Sequence, residues 1–302
     1  MKQTRIVLSA LVLATGWMLE ARGAALECEN WQSSHPDWLW CDDFENDVAL
    51  ETNYFEVGRA NGRFAVSADT SMGGSRALKA SYVSGEADAG SLKLSVGRTP
   101  VSPQLQTNRD FTDLYWRVYV KVAPGWQGNA MKISRGIVFA GPNWTEAAVG
   151  MVWEDSPTGL SVGIDPASGV SGSTVVTTKY NDFANLRWLG LVPAQTRIYA
   201  PENQNKWFCL ETRMKLNTPG ASDGLFTLWI NGTAEAQATG LNWRGSYTQY
   251  GINAVFLENW INSGPTQNQV RYMDNFVVST SRIGCVPSAA VRPNPPTNVT
   301  AH

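Results

Sequence analysis

The run Leu114-Tyr115-Trp116-Arg117-Val118-Tyr119-Val120-Lys121-Val122 alternates two kinds of side chain. In an extended strand, residues two apart share a face. Tyr115, Arg117, Tyr119 and Lys121 therefore stand together, and Trp116, Val118, Val120 and Val122 form the side that seeks a core. A guanidinium grips a carboxylate through two parallel hydrogen bonds. A phenol, whose pKa is ordinarily about 10, takes or returns a proton once neighbouring cations lower that value. Arg117 is the expected carboxylate holder, Tyr119 the proton carrier, and Tyr115 their neighbour. The following segment Met131-Lys132-Ile133-Ser134-Arg135-Gly136 reads as a loop that adds two cations, Lys132 and Arg135.

A second charged stripe follows. In the strand from Trp207 to Leu216, one face holds Phe208, Leu210, Thr212, Met214 and Leu216; the other holds Trp207, Cys209, Glu211, Arg213 and Lys215. Asn217-Thr218-Pro219-Gly220 and Asp223-Gly224 are turn signals, because glycine accepts the positive φ of tight turns. The return strand Leu225–Ile230 ends at a further turn, Asn231-Gly232, and puts Trp229 beside Glu211 and Arg213. For both stripes the alternative to a ligand-binding face is a solvated face of cross-strand ion pairs.

Elements of this kind recur along the chain. Short apolar or alternating runs punctuated by Gly, Pro, Asn, Asp and Ser are predicted at Trp38–Phe44, Phe64–Val66, Ala77–Val83, Ser91–Val96, Asp113–Val122, Gly136–Phe139, Ala147–Glu154, Leu160–Ile164, Ser173–Thr178, Lys206–Leu216, Leu225–Ile230, Ile252–Asn259 and Val270–Ser279. No amphipathic helical pattern exceeds two turns. A dozen or so short strands without a repeat of fixed period imply an all-β, two-sheet antiparallel jelly-roll sandwich rather than a propeller or solenoid. The domain is expected over residues 24–286.

The ends read differently. Lys2 and Arg5 precede an apolar run from Ile6 to Leu19 and a small-residue segment, Ala21-Arg22-Gly23-Ala24-Ala25. That is the pattern of a secretory signal peptide over residues 1–23, and the run is short for a membrane span. An extracellular or periplasmic chain with no membrane anchor is expected. Its removal moves the net charge from −2 to −4, so there is no electrostatic footprint for nucleic acid. After Val286, four prolines follow closely, as in an extended linker over residues 287–302 whose last residues are similar to the opening strand of a fibronectin type III module.

Four cysteines, Cys28, Cys41, Cys209 and Cys285, belong to the exported part. They allow three connectivities; Cys28–Cys41 and Cys209–Cys285 is the pairing favoured here. A zinc site lacks the close paired spacing and the histidines it needs, since the only histidines are His35 and His302.

Three segments together resemble the concanavalin A-like jelly-roll superfamily, and within it the secreted alginate-lyase-like and glucuronan-lyase-like polysaccharide lyases. They are Cys41-Asp42-Asp43-Phe44-Glu45; the hairpin Trp207…Glu211…Asn217-Thr218-Pro219-Gly220…Asp223-Gly224…Trp229…Asn231-Gly232; and Tyr272-Met273-Asp274-Asn275-Phe276-Val277-Val278-Ser279-Thr280 with Ile283-Gly284. The resemblance implies an extracellular polysaccharide partner and β-elimination at a uronate. That reaction needs the sugar carboxylate neutralised, the adjacent C–H proton removed and the leaving oxygen protonated. With histidine so scarce, Tyr119, Lys132 and Arg117 are the expected catalytic residues, and Tyr115, Arg135, Glu211, Arg213 and Trp229 the substrate-binding ones. The Lys132 segment departs from the Lys-Leu-Pro-Gly-like segment of those lyases.

The other reading is a non-catalytic carbohydrate-binding or cell-surface module. Hydrolysis needs two carboxylates at a fixed separation, and the Glu-x-Asp-x-x-Glu pattern of the fold's glucanases is absent. Asp43, Glu45 and Asp274, on an early and a late strand, carry oxygens suited to a structural Ca²⁺. No organic cofactor is expected, and the chain is expected to be a monomer.

Overall fold

The computed structural model describes residues 26–101, 108–128, 131–154 and 159–286. The predicted signal peptide and the predicted Pro-rich linker lie outside the described residues. In chain order the strands are β1 (Trp38–Asp42), β2 (Glu56–Gly58), β3 (Phe64–Ser67), β4 (Ala77–Tyr82), β5 (Asp88–Ser95), β6 (Asp113–Val122), β7 (Met131–Phe139), β8 (Glu146–Glu154), β9 (Val162–Ser168), β10 (Val170–Ser171), β11 (Thr174–Val175), β12 (Arg187–Trp188), β13 (Val192–Pro193), β14 (Phe208–Lys215), β15 (Gly224–Ile230), β16 (Thr233–Leu241), β17 (Ala254–Ile261) and β18 (Gln269–Ser279). Among the described residues helix is confined to single turns such as Trp31–Ser34 and Leu50–Asn53.

The long strands make two antiparallel sheets. Sheet A runs β16-β15-β14-β6-β18-β4-β3, with β1 also paired to β18; sheet B runs β12-β9-β8-β7-β17-β5-β2, with β13 also paired to β9. This is the expected jelly-roll sandwich.

Alternation decides which side of each strand meets the other sheet. Trp116, Val118, Val120, Leu210, Met214, Leu228 and Ile230 of sheet A are buried in one apolar core with Leu92, Leu94, Val138, Val152, Val255 and Leu257 of sheet B. One close meeting of the sheets is at Gly136 and Gly150, which pair with each other across β7 and β8. A Cβ on Gly136 would come within 2.9 Å of the Trp116 ring, and one on Gly150 within 2.9 Å of the Phe226 ring. The two glycines leave the space these aromatics fill.

The hairpin reads as predicted. Thr218 donates its N–H and hydroxyl to the Asp223 carboxylate, at 2.7 Å each. Asn231 and Gly232 both have positive φ, 50° and 85°, the requirement of a two-residue hairpin turn. The short strands β2, β10, β12 and β13 had no predicted counterpart, and three further elements differ from expectation. The edge strand β16, Thr-Ala-Glu-Ala-Gln-Ala-Thr-Gly-Leu, is mostly exposed and lacks large alternating apolars, so no pattern announced it. The run Ser173–Thr178 shrinks to the two residues of β11. Lys132 and Arg135, read as a loop, lie inside strand β7.

The cysteines pair as expected: Cys28–Cys41 with Cα atoms 5.5 Å apart and Cys209–Cys285 with Cα atoms 6.0 Å apart, both within the range a bridge permits. The two disulfides point to an oxidising, extracytoplasmic setting. Among the described residues no helix is long and apolar enough to cross a membrane.

Candidate functional site

Each sheet has an outer face, and the predicted site residues divide between them. Tyr115, Arg117 and Tyr119 are on β6 of sheet A, and Lys132 and Arg135 are on β7 of sheet B. The structure therefore does not bring Arg117 and Tyr119 into one cleft with Lys132.

The outer face of sheet A is occupied by the chain itself. Arg117 is 1% exposed; it donates to the Glu27 carboxylate at 2.5 Å, the Gly284 carbonyl at 3.0 Å and the Asn275 carbonyl. The Tyr119 hydroxyl accepts the Val286 N–H at 2.5 Å. Burial, only partly offset by Arg117, raises the pKa of this phenol, opposite to the shift a proton carrier near neutral pH needs. Glu211 is fully buried and accepts from Arg282 Nε and the Ile283 N–H, both at 2.7 Å, and from the Gly284 N–H. Trp229 lies under the Arg282 guanidinium, 4.0 Å from its centroid, and beside Tyr115. Arg213 is bidentate to Asp113. The stripe read as a substrate face holds residues 282–286, which the Cys209–Cys285 bridge also ties down.

The outer face of sheet B is built otherwise. Here β7 is bulged: its pairing with β8 shifts between Lys132 and Ser134. Ile133 packs in the core, and Ser134 also turns inward to accept the Trp116 Nε1–H at 3.0 Å. One extra residue on one strand of a pair shifts the alternation, so Lys132 and Arg135, three apart, emerge on the same outer face. Both border a narrow recess with Trp153 and Glu258.

Arg135 is 1% exposed and fully engaged. It is bidentate to Glu258, both bonds 2.6 Å, and donates to Asn181 Oδ1 at 2.7 Å. Its guanidinium lies over the Tyr180 ring and 4.0 Å from Glu146. Burial pushes Glu258 upward, but the charge and hydrogen bonds of Arg135 outweigh it and hold the carboxyl below its usual range. For Glu146 burial wins, and its pKa rises to about 7. The Tyr180 hydroxyl donates to Glu258 Oε1 at 3.2 Å; burial and then that carboxylate hold the phenol well above its ordinary value. Asn181, at φ 54°, gives its N–H to Glu146.

Tyr180 and Asn181 belong to a segment, residues 176–191, that lies over this face. Thr178 and Asn185 both donate to Asp182, and Thr177 is bonded to the Glu146 backbone. Beneath it Ile137, Phe139, Val149, Met151, Ala254 and Phe256 form a second apolar cluster. At its edge opens a hollow of about 230 Å³. Glu56, Asp88, Lys93, Lys132, Tyr180, Asn181, Glu258 and Trp260 are among its lining. Lys93 is ion-paired with Glu56 and lies over the Trp144 and Tyr180 rings. Lys132 lies 5.5 Å from the centroids of both Phe183 and Trp260. Burial, then the charge of Arg135, lowers its pKa, which favours the free amine.

Lys132 and Arg135 were thus legible as residues, whereas Lys93, Tyr180, Asn181, Glu258 and Trp260 were not singled out. Glu258 had a signal: a carboxylate inside the apolar run from Ile252 to Asn259 must find a partner if it is buried. Tyr180 and Asn181, in an irregular segment, had none.

Of the predicted calcium ligands, Asp274 lies on the inner strand β18 of sheet A, opposite Tyr119 of β6, and Asp43 and Glu45 lie just beyond the end of β1. Asp274 is fully buried and accepts the Met72 N–H at 2.6 Å and the Asn275 N–H at 2.8 Å. Burial, with the like charges of Asp43 and Glu45, raises its pKa far above the carboxylate range. Asp43 accepts the Cys28 and Glu45 N–H groups, and Glu45 those of Ser75 and Arg76. Among the described residues no three carboxylate, imidazole or thiolate side chains converge closely enough to hold a metal by themselves.

No protein-family model and no curated protein matches the sequence. Solved structures do match the fold. An endo-β-1,4-glucuronan lyase from the fungus Trichoderma reesei superposes with a TM-score of 0.54 at 12% identity, over 81% of this chain and 96% of that one. The alginate lyase vAL-1 from Chlorella virus gives 0.53 at 14%, over 83% and 96%. A marine PL-14 alginate lyase from Aplysia kurodai gives 0.54 at 14%, over 81% and 99%. The chain has the jelly-roll fold of these polysaccharide lyases.

Proposed function

We propose that this chain is an exported, monomeric polysaccharide lyase that cleaves a uronate-containing polymer by β-elimination on the outer face of sheet B. The observation that carries the reading is the meeting, in one hollow, of Lys132, whose pKa burial lowers, with Tyr180, whose pKa burial raises. Likeness of fold to known lyases supports it without deciding activity.

The sugar carboxylate meets Asn181 Nδ2 and the Lys93 ammonium, which lowers the cost of carbanion character at the neighbouring carbon. Lys132, as the free amine, takes the proton from that carbon. The C–H electron pair becomes the new C=C bond, the C–O bond to the next sugar breaks, and the Tyr180 proton passes to the departing oxygen. Arg135 makes no contact with substrate here; it holds Glu258, and through it Tyr180, in place.

Purified protein incubated with a panel of uronate-containing polymers, the homopolymers alginate, glucuronan and pectate and polymers that mix uronate with neutral sugars, should generate far-ultraviolet absorbance from the unsaturated product of at least one, and Lys132→Ala should remove it. If wild-type protein and Lys132→Ala bind polymer alike and neither yields product, the chain is instead a carbohydrate-binding module, a reading favoured by the exposed rings of Trp188 and Trp260.

A structural Ca²⁺ is a separate proposal. Asp274, with Asp43 and Glu45, would hold it, and the ion would neutralise three carboxylates and clamp the end of β1 to β18. The mutual repulsion at Asp274 supports it. Addition of calcium to chelated protein should raise the melting temperature; no change would remove the ion from the account.

A further inference from the structure

The charge and the exposed rings of the sheet B face define what kind of polymer it takes. Three carboxylates, Glu56, Asp88 and Glu258, line the hollow against two lysines, Lys93 and Lys132. Lys93 is already paired with Glu56, and Arg135 with Glu258. Such a surface does not attract a chain bearing a carboxylate on every sugar. Arg187 lines a separate hollow with Asn185, Asn242 and Ser246.

Aromatic side chains take the place of cations. Among the described residues six large apolar side chains are exposed, and three of them are Trp260, Phe183 and Trp188. Trp260, Lys132 and Trp153 are successive partners across β17, β7 and β8. At the usual strand spacing the two tryptophan positions are about 10 Å apart with Lys132 midway. Trp153 stacks on Trp188 at 5.8 Å, Trp188 meets Phe183 at 5.9 Å, and Phe183 reaches back to Lys132. The lysine is flanked on both sides by flat apolar faces along the line that crosses the strands.

We propose that the substrate is a heteropolysaccharide of low charge density: one acidic sugar seats at the Lys132 hollow, and the neutral sugars on either side stack on Trp260 and on the Trp153–Trp188–Phe183 cluster. This rests on the proposed lyase site but is tested apart from it, because binding and turnover are read separately.

The probes are gellan, whose backbone places glucuronate among neutral sugars, and the homopolyuronates alginate and polyglucuronate. Affinity is followed by tryptophan fluorescence and calorimetry at low and high salt, and turnover by product absorbance. Gellan should bind more tightly than either homopolyuronate, with little dependence on salt. Trp260→Ala and Trp188→Ala, both at exposed positions, should each weaken gellan binding by about tenfold with unchanged melting temperatures. Gellan binding of this kind without product from any polymer would sustain the substrate class and overturn the lyase reading. Tighter, salt-sensitive binding of alginate or polyglucuronate, indifferent to the tryptophan substitutions, would overturn the substrate class and leave the lyase reading standing. Failure to bind gellan at all would also overturn it.

Discussion

The two outer faces of this sandwich carry similar side chains and use them in opposite ways. On sheet A, Arg117, Tyr119 and Glu211 are saturated by the chain's own backbone and by Glu27 and Arg282. On sheet B, Arg135, Glu258 and Tyr180 satisfy one another and leave Lys132 and Trp260 lining a hollow. A charged stripe on a strand is therefore no sign of a ligand face in itself. What separates the two cases is whether another segment of the chain already supplies the hydrogen-bond partners.

The comparison breaks most decisively at Lys132. Lys132→Ala should lower turnover on the cleaved polymer by about 10²–10⁴-fold, the usual worth of a positioned proton acceptor, with its melting temperature nearly unchanged. The same measurement on Tyr119→Phe should show no loss; if the two variants behave alike, the chemistry belongs to sheet A after all.

Next in size is the buried pair beneath the hollow. Arg135→Ala leaves Glu258 uncompensated and should cost about 3–5 kcal/mol in denaturant unfolding. On the sealed face, replacing Cys209 and Cys285 together by serine should cost about 2–4 kcal/mol while the folded protein keeps its turnover. Loss of turnover in that variant would mean that the strap supports the sheet B site.

The smallest effect concerns pH. Glu146 titrates at about 7 in the folded chain against an ordinary 4.5, so its ionisation is penalised by folding. The stability it withholds should return as pH falls from about 7 to about 4.5, the direction required when the folded state holds its proton more tightly. Melting curves of wild type and Glu146→Gln should diverge over that window, the wild type gaining more on acidification; parallel curves would place Glu146 in a more solvated setting.

The sandwich was legible because β6, β14 and β15 alternate large apolar with polar residues, and their inward sets are buried as expected. The disulfides were legible from number and spacing. The site was not, for two physical reasons. Lys132, Ser134 and Arg135 interrupt the apolar pattern of β7, so its first half read as loop; buried charges are tolerated there only because Glu258 and Asn181 arrive from distant segments. Tyr180 and Asn181 come from a stretch with no periodicity, held by Asp182 and Thr177. Partners that meet only through tertiary contact leave no local trace.

The bulge at Ile133 makes the side on which Lys132 emerges a matter of counting. Relative to an unbulged strand of the same sequence, every residue of β7 before it has its side exchanged, so Lys132 faces outward because the bulge takes Ile133 out of the alternation. Deleting Ile133 alone would restore regular alternation and leave the lysine facing outward, whereas deleting Ile133 and Ser134 together would turn it toward Trp116. Loss of the bulge residue is thus tolerated by the pattern, while loss of one residue more would remove Lys132 from the outer face with its codon still present.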